Sequence, residues 1–261
     1  MNNTENEGWK NMRKVKMKLL EIREIAKDTI EMKLTDNYIT EVAKPGQFIS
    51  IALPNHTLPR PISIANIDRN KQELTLLFKI MGKGTDELAG FIPGAEIDCF
   101  GPNGNSFPLR SGEMTKVLLI GGGIGVPPLY YLGKQLKKQG GIKIVSILGF
   151  QSSEYVFYEK EFASLGETFI VTDDGSYGMK GFVTDAVTGV PSFNAYYACG
   201  PTGMLRALTT QLHNKTGYIS LEERMGCTIG ACAACVIPTT EGGYKKICHD
   251  GPVFAAEEVI L

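Results

Sequence analysis

The sequence predicts a β + α/β architecture: an antiparallel β-barrel, then a parallel-sheet nucleotide-binding domain, then a small C-terminal domain that carries cysteines. Three observations point there. Residues 14–110 hold several short runs of alternating or β-branched residues separated by turn residues, the pattern of an antiparallel barrel. From about Ser111 the runs become continuously apolar and alternate with helical stretches, which is how a buried parallel sheet reads. Residues 216–261 then hold four of the six cysteines. The expected divisions are 1–110, 111–215 and 216–261.

The elements follow in order. VKMKLLEIREI, TIEMKL, GQFISIAL, PISIANI and ELTLLFKI are the barrel strands, with turns at Asp36-Asn37, Lys44-Pro45-Gly46 and Asp68-Arg69-Asn70. A short helix is expected over 85–90, and EIDCF closes the barrel with Cys99 in its core. The second half opens with KVLLI running into Gly121-Gly122-Gly123, a helix over 128–138 and the strand IKIVSILGF. Strand, glycine turn, helix and strand form the first unit of a nucleotide-binding sheet. Helices near 159–165 and 181–187, the strands TFIVT and AYYAC, and a helix over 200–213 continue the alternation.

Composition narrows the function. The chain has 261 residues, with 27 basic and 28 acidic side chains and a net charge of −1, so bulk electrostatics offers nothing to a nucleic acid. No apolar run is long enough to span a bilayer. The N-terminus has charges but no apolar h-region, so a signal peptide is not expected and a reducing cytoplasm is. Residues 1–13 are polar enough to be loosely ordered.

Cys227, Cys232, Cys235 and Cys248 are spaced C-x4-C-x2-C, with twelve residues before the last. This is the ligand spacing of a plant-type [2Fe–2S] cluster. Two sulfide-bridged irons need four thiolates in a small volume. Residues around the first three cysteines are mostly Gly and Ala, so the backbone can wrap closely and aim N–H groups at sulfur. Structural zinc usually takes two short cysteine knuckles, and here Cys248 stands alone. A disulfide framework suits small secreted chains. A Rieske centre needs two histidines, and only His249 is near.

Other motifs stay two-sided on their residues alone. Gly123-Ile124-Gly125-Val126-Pro127-Pro128 lies between a buried strand and a helix, where backbone N–H groups can meet a pyrophosphate; it also reads as a plain glycine-rich connection. Arg60-Pro61-Ile62-Ser63 offers a guanidinium for phosphate and a hydroxyl for a ring edge, or a strand entry with a surface arginine. Gly84-Thr85 offers donors to phosphate, or a capped turn. Cys199-Gly200-Pro201 follows the last parallel strand, at the carboxyl end of the sheet where ligands bind; Cys199 is either beside that ligand or a small buried residue. Asp173, in Thr172-Asp173-Asp174-Gly175-Ser176, lies at another strand end, in nucleotide reach or in an ordinary acidic loop. His56 and His213 read as surface residues.

Together these segments resemble the ferredoxin–NADP reductase superfamily, and most closely the electron-transfer subunits of class 1B dihydroorotate dehydrogenases, from about Val15 to Ile260. The resemblance implies a flavin barrel, a pyridine-nucleotide domain and a cluster domain, in that order. It implies FAD held by Arg60, Pro61, Ile62 and Ser63, lined by Leu77, Phe78 and Lys79, with its pyrophosphate on Gly84 and Thr85. It implies NAD as co-substrate at Gly123, Gly125, Pro128, Asp173 and Gly200, with Cys199 near the nicotinamide. Many superfamily reductases carry tyrosine where Ile62 stands, which leaves one flavin face without an assigned cover. Gln151, Ser152, Ser153 and Glu154 include no arginine for a 2′-phosphate, which favours NAD. The implied partner is an FMN-containing catalytic subunit in a heterotetramer of two copies of each, serving pyrimidine biosynthesis. Alternatives are an NAD(P)H-linked subunit of a sulfite reductase, hydrogenase or ferredoxin:NADP transhydrogenase complex, and, from another class, a zinc-stabilised nucleotide-binding regulator.

Overall fold

A computed structural model describes residues 11–109 and 114–261. The change of pattern near Ser111 and the polar residues 1–10 lie outside the described residues, and strand β1 is already formed at Arg13.

Strands β1 (Arg13–Ala26), β2 (Thr29–Thr35), β3 (Phe48–Ile51), β4 (Arg60–Asp68), β5 (Glu73–Lys79) and β6 (Glu96–Asn103) close into a barrel in the order β1-β2-β5-β4-β3-β6. Alternation explains the closure. Met17, Leu19, Met32, Leu34, Ile64 and Leu76 point inward and are fully buried, and their alternate neighbours face out. A helix that the turn residues did not announce, α1 (Asn37–Val42), follows β2. Its cap is Asp36, whose carboxylate accepts from the Ile39 N–H at 2.7 Å. The expected short helix is α2 (Lys83–Ala89).

The second half builds a seven-stranded sheet from β7 (Lys116–Gly122), β8 (Lys143–Phe150), β9 (Glu167–Thr172), β10 (Met179–Lys180), β11 (Ala195–Cys199), β12 (Thr216–Ser220) and β15 (Val253–Ala255). Their order is β10-β9-β8-β7-β11-β12-β15, parallel except for β15. Helices α3 (Val126–Gln139), α4 (Glu159–Ala163), α5 (Val183–Val187) and α6 (Thr202–Gln211) connect them. The sheet thus runs past residue 215. TGYIS, buried from Gly217 onward, pairs with β11, and Gly217 leaves room for the Tyr196 ring: a Cβ there would meet it at 2.1 Å. What remains between β12 and β15 is a compact unit with the hairpin β13 (Val236–Pro238) and β14 (Tyr244–Lys246) and the short helix α7 (Ile247–Asp250).

Polar contacts lock the two halves together. The Tyr158 hydroxyl donates to Glu31 at 2.7 Å, and Arg23 holds the other Glu31 oxygen through Nη2 at 2.7 Å and Nε at 3.0 Å. Lys27 pairs with Glu154 at 2.7 Å, and Lys134 donates to Asn66 at 2.7 Å.

Candidate functional site

The four cysteines predicted to hold metal come together. Cys227, Cys232 and Cys235 lie on one loop between β12 and β13, and Cys248 arrives on α7. The sulfurs fall into two linked pairs. The Cys227 and Cys232 N–H groups point at each other's sulfur, at 3.4 and 3.3 Å, and the Cys248 N–H donates to Cys235 at 3.4 Å. Gly230 N–H, at 3.2 Å from the Cys248 sulfur, ties the pairs together. Two thiolates per iron is what a two-iron cluster requires. Burial opposes a thiolate at Cys227, but N–H groups of Ile229, Cys232 and Ala231 outweigh it and bring the thiol down to about 7. Burial, then neighbouring Cys235, pushes Cys248 up to about 12. Ligating sulfur must be deprotonated, so this donor set fits a group that brings its own positive charge, as iron does.

The barrel site is assembled on β4, β5 and α2. Strand alternation turns Ile62 and Phe78 into the barrel core and Leu77 toward the α/β half, so these three can offer a ligand backbone but little side chain. Ile62 therefore cannot act as the missing tyrosine. Ser63 and Pro61 face out, half-buried, and Lys79 lies with its ammonium 4.4 Å from the Tyr155 ring centroid. Arg60 is tightly placed. It donates to the Leu58 carbonyl at 2.6 Å and to His56 Nδ1 at 2.9 Å, and His56 Nε2 sits 3.4 Å from Glu87. Guanidinium only donates, so Nδ1 is the accepting nitrogen. His56 is thus a half-buried link and not the plain surface residue expected. Gly84 makes room for this arginine: a Cβ there would lie 2.1 Å from Nε. The Thr85 hydroxyl is engaged in its own turn, accepting from Met81 N–H at 2.9 Å and donating to the Gly82 carbonyl at 3.0 Å. A held cation beside a bare glycine backbone fits the phosphates of a dinucleotide.

Between barrel and sheet lies a cavity of about 730 Å³ at the carboxyl ends of the parallel strands. Gly123, Asp173 and Gly200 line it, with Lys79 and Met81 entering from the barrel side. Gly125 and Pro128 lie beneath and shape it. Gly125 packs on β11, where a Cβ would meet the Cys199 carbonyl at 2.4 Å, and Pro128 sits buried in the first turn of α3. Cys199 has its side chain in the core; burial, then Glu222, raises its thiol well above the ordinary value. It supplies no thiolate to the cavity. Asp173 has its carboxyl raised by burial and then by Asp174.

Glu222 and Phe182 are among the wall residues that escaped sequence reasoning. Glu222 lines the cavity, and burial in its wall pushes the carboxyl up to about 7. Phe182 is 64% exposed at the cavity rim. Neither lies in a motif; only the return of β12 beside β11 brings Glu222 to the wall.

The comparisons agree with this geometry. Residues 222–260 match the family model described as the iron–sulfur cluster binding domain of dihydroorotate dehydrogenase B. Over 257 residues the chain is 49% identical to "Dihydroorotate dehydrogenase B (NAD(+)), electron transfer subunit" of Geobacillus sp. (strain WCH70), covering 96% of this chain and 100% of that one. The chain belongs to that family. The protein of the same name from Bacillus caldolyticus is 50% identical over 246 residues, covering 92% of this chain and 95% of that one. A chain in the structure of NADH-dependent reduced ferredoxin–NADP oxidoreductase superposes with a TM-score of 0.86 at 30% identity, over 94% of this chain and 89% of that one. As a member of this electron-transfer family, the chain is an oxidoreductase subunit with the reductase fold, an iron–sulfur cluster, FAD and NAD. Among the described residues no helix is long and apolar enough to cross a membrane.

Proposed function

We propose that this chain carries electrons for an NAD⁺-linked dihydroorotate dehydrogenase of the cytoplasm, bound to an FMN-containing catalytic subunit in a heterotetramer of two copies of each. The relatives' names supply the reaction; the observation that carries it here is the convergence of two sulfur pairs on one side and a cavity for a dinucleotide on the other. A bound flavin would supply the chemistry that joins one-electron exchange with the cluster to two-electron exchange with nicotinamide.

The chain's own residues bind and orient. Cys227, Cys232, Cys235 and Cys248 hold the irons. Arg60, kept in place by Leu58 and His56 beside Gly84, would hold the FAD phosphates, and Ser63 would offer its hydroxyl to the flavin. Gly123 and Gly200 admit nicotinamide dinucleotide to the cavity with no side chain in the way. Asp173 stands at the β9 end, where an acid accepts from a ribose hydroxyl and repels a 2′-phosphate. The 30% identical oxidoreductase is a more distant likeness than the dihydroorotate family at 49%, so the latter reading is preferred.

Purification without high salt tests this. The expected companion is an FMN protein of α/β-barrel size, and the pair oxidises dihydroorotate with NAD⁺. The chain by itself oxidises NADH with an artificial acceptor and leaves dihydroorotate untouched. Dihydroorotate turnover by the pure chain, or a companion without FMN, would defeat the proposal.

A further inference from the structure

The cluster loop contains a residue whose backbone is strained for no local reason. Thr228, between Cys227 and Cys232, has φ +60°, a region that β-branched residues avoid and that costs free energy unless the surroundings impose it. It is also a polar side chain only 1% exposed. Its hydroxyl lies 2.8 Å from Ser50, which is 178 residues away on β3. Ser50 Oγ in turn accepts from Asn103 Nδ2 at 3.0 Å, and the same Nδ2 donates to the Phe100 carbonyl at 2.8 Å. Ser50 and Asn103 are 2% and 0% exposed. A buried polar chain thus runs from the cysteine loop into the barrel wall.

That wall is the one that carries the flavin residues. Ser50 pairs across β3 and β4 with Pro61, and Phe48 pairs with both Ser63 and Asn103. At about 5 Å per strand, the anchor of the cluster loop lies within a strand or two of Arg60–Ser63. The segment after Cys248 is anchored on the same side: Asn105 Nδ2 donates to the Asp250 and Val253 carbonyls at 3.0 and 2.7 Å, and its Oδ1 accepts from Val253 N–H at 2.9 Å. Both cysteine-bearing segments are therefore registered against the barrel by side chains of the barrel.

We propose that Thr228, tied through Ser50 to Asn103, is a positioning residue that fixes the cluster loop against the flavin-bearing strands and so sets the rate of electron passage between the two groups. The proposal rests on the reading of the four cysteines as cluster ligands. Strain at Thr228 is explained by it, since glycine would take φ +60° freely but could not reach Ser50.

The test uses the full chain loaded with both groups. NADH supplies a hydride to the flavin, two electrons and a proton; one electron then passes on, and one ferric iron becomes ferrous. Stopped-flow absorbance separates the two steps, and the electron paramagnetic resonance of the dithionite-reduced cluster reports its surroundings. Thr228→Val and Ser50→Ala are each expected to slow the second step at least about threefold, the sensitivity expected where placement matters at the half-ångström scale, and to shift the resonance. The first step keeps its rate, Thr228→Ser restores the second, and the double variant is no slower than the slower single one. If Thr228→Val assembles no cluster, Ser50→Ala decides, because it leaves the loop's sequence intact. Wild-type transfer and resonance in Ser50→Ala, or Thr228→Ser as slow as Thr228→Val, would overturn the proposal. Wild-type chain without iron and sulfide would instead sink the cluster reading beneath it.

Discussion

Replacing Gly84 by alanine should damage FAD binding while sparing the fold. The new methyl would lie 2.1 Å from Arg60 Nε and 2.2 Å from Nη2, far inside contact distance. The clash is with the end of a flexible side chain and not with backbone, so it is relieved by swinging the guanidinium away from Leu58 and His56. Gly84 sits in α2, where alanine is favoured over glycine by about 0.8–1 kcal/mol. That gain offsets two modest hydrogen bonds, to Leu58 and His56, at about 0.5–1.5 kcal/mol each. Net stability of the flavin-free chain should therefore fall by about 2 kcal/mol or less.

Flavin affinity has no such compensation. A displaced Arg60 loses a charge-assisted contact to phosphate of about 1.5–3 kcal/mol, or roughly 10- to 150-fold in Kd. Fluorescence titration of flavin-free protein with FAD measures the loss, and urea unfolding checks the stability. Arg60→Ala should weaken FAD by a similar factor, and Gly84→Ala added to it should weaken it little further, since both remove one contact. Wild-type FAD affinity in Gly84→Ala would refute the reasoning, because it would show that the placed guanidinium does not touch the flavin nucleotide.

Three further outcomes are expected. Cys232→Ser should lose iron and sulfide by chemical analysis while FAD stays bound, because the cysteine loop and the Arg60 site share no residue. Glu222 has its folded carboxyl raised to about 7 by burial, so the folded state holds its proton between the ordinary glutamate range and about pH 7; thermal stability of the ligand-free chain should fall as pH rises through that window, and Glu222→Gln should flatten the fall. Tyr158→Phe removes one hydrogen bond to the buried Glu31 carboxylate, and urea unfolding should register a loss of about 1.5–3 kcal/mol; an unchanged midpoint would show that the Tyr158–Glu31 contact adds nothing to the domain seam.

What could be read beforehand follows from the range of the physics involved. Alternation in β2 and β5 and the apolar runs of β7 and β8 are local patterns, and the folded chain reproduces them. The cysteine spacing is likewise local, because three of the ligands share one loop. The helix α1 was hidden because Asp36 is both a turn residue and a helix cap, and composition does not separate the two roles. Leu77 and Phe78 belong to a motif, yet the pleat of β5 sends them to opposite sides. Glu222 and Phe182 owe their places to strand order, and His56 to the conformation of the loop before β4, none of which is printed in any short stretch of sequence.

The cluster unit shows why such long-range placement matters. It leaves the α/β sheet at β12, touches the barrel at Ser50 and Asn105, and returns to the sheet at β15. A unit built this way cannot follow one half of the molecule alone. Cys235 and Cys248 pack in one apolar cluster with Ile219 and Phe254 of the sheet, while the contacts of Thr228 and Asn105 tie the same unit to β3 and to the segment after β6. The spacing that single electrons must cross is thereby assigned to buried side-chain contacts within the barrel wall. The spacing that the hydride must cross is assigned to the seam lined by glycine, which the exposed Lys27–Glu154 pair and the part-buried Tyr158–Glu31 contact bridge.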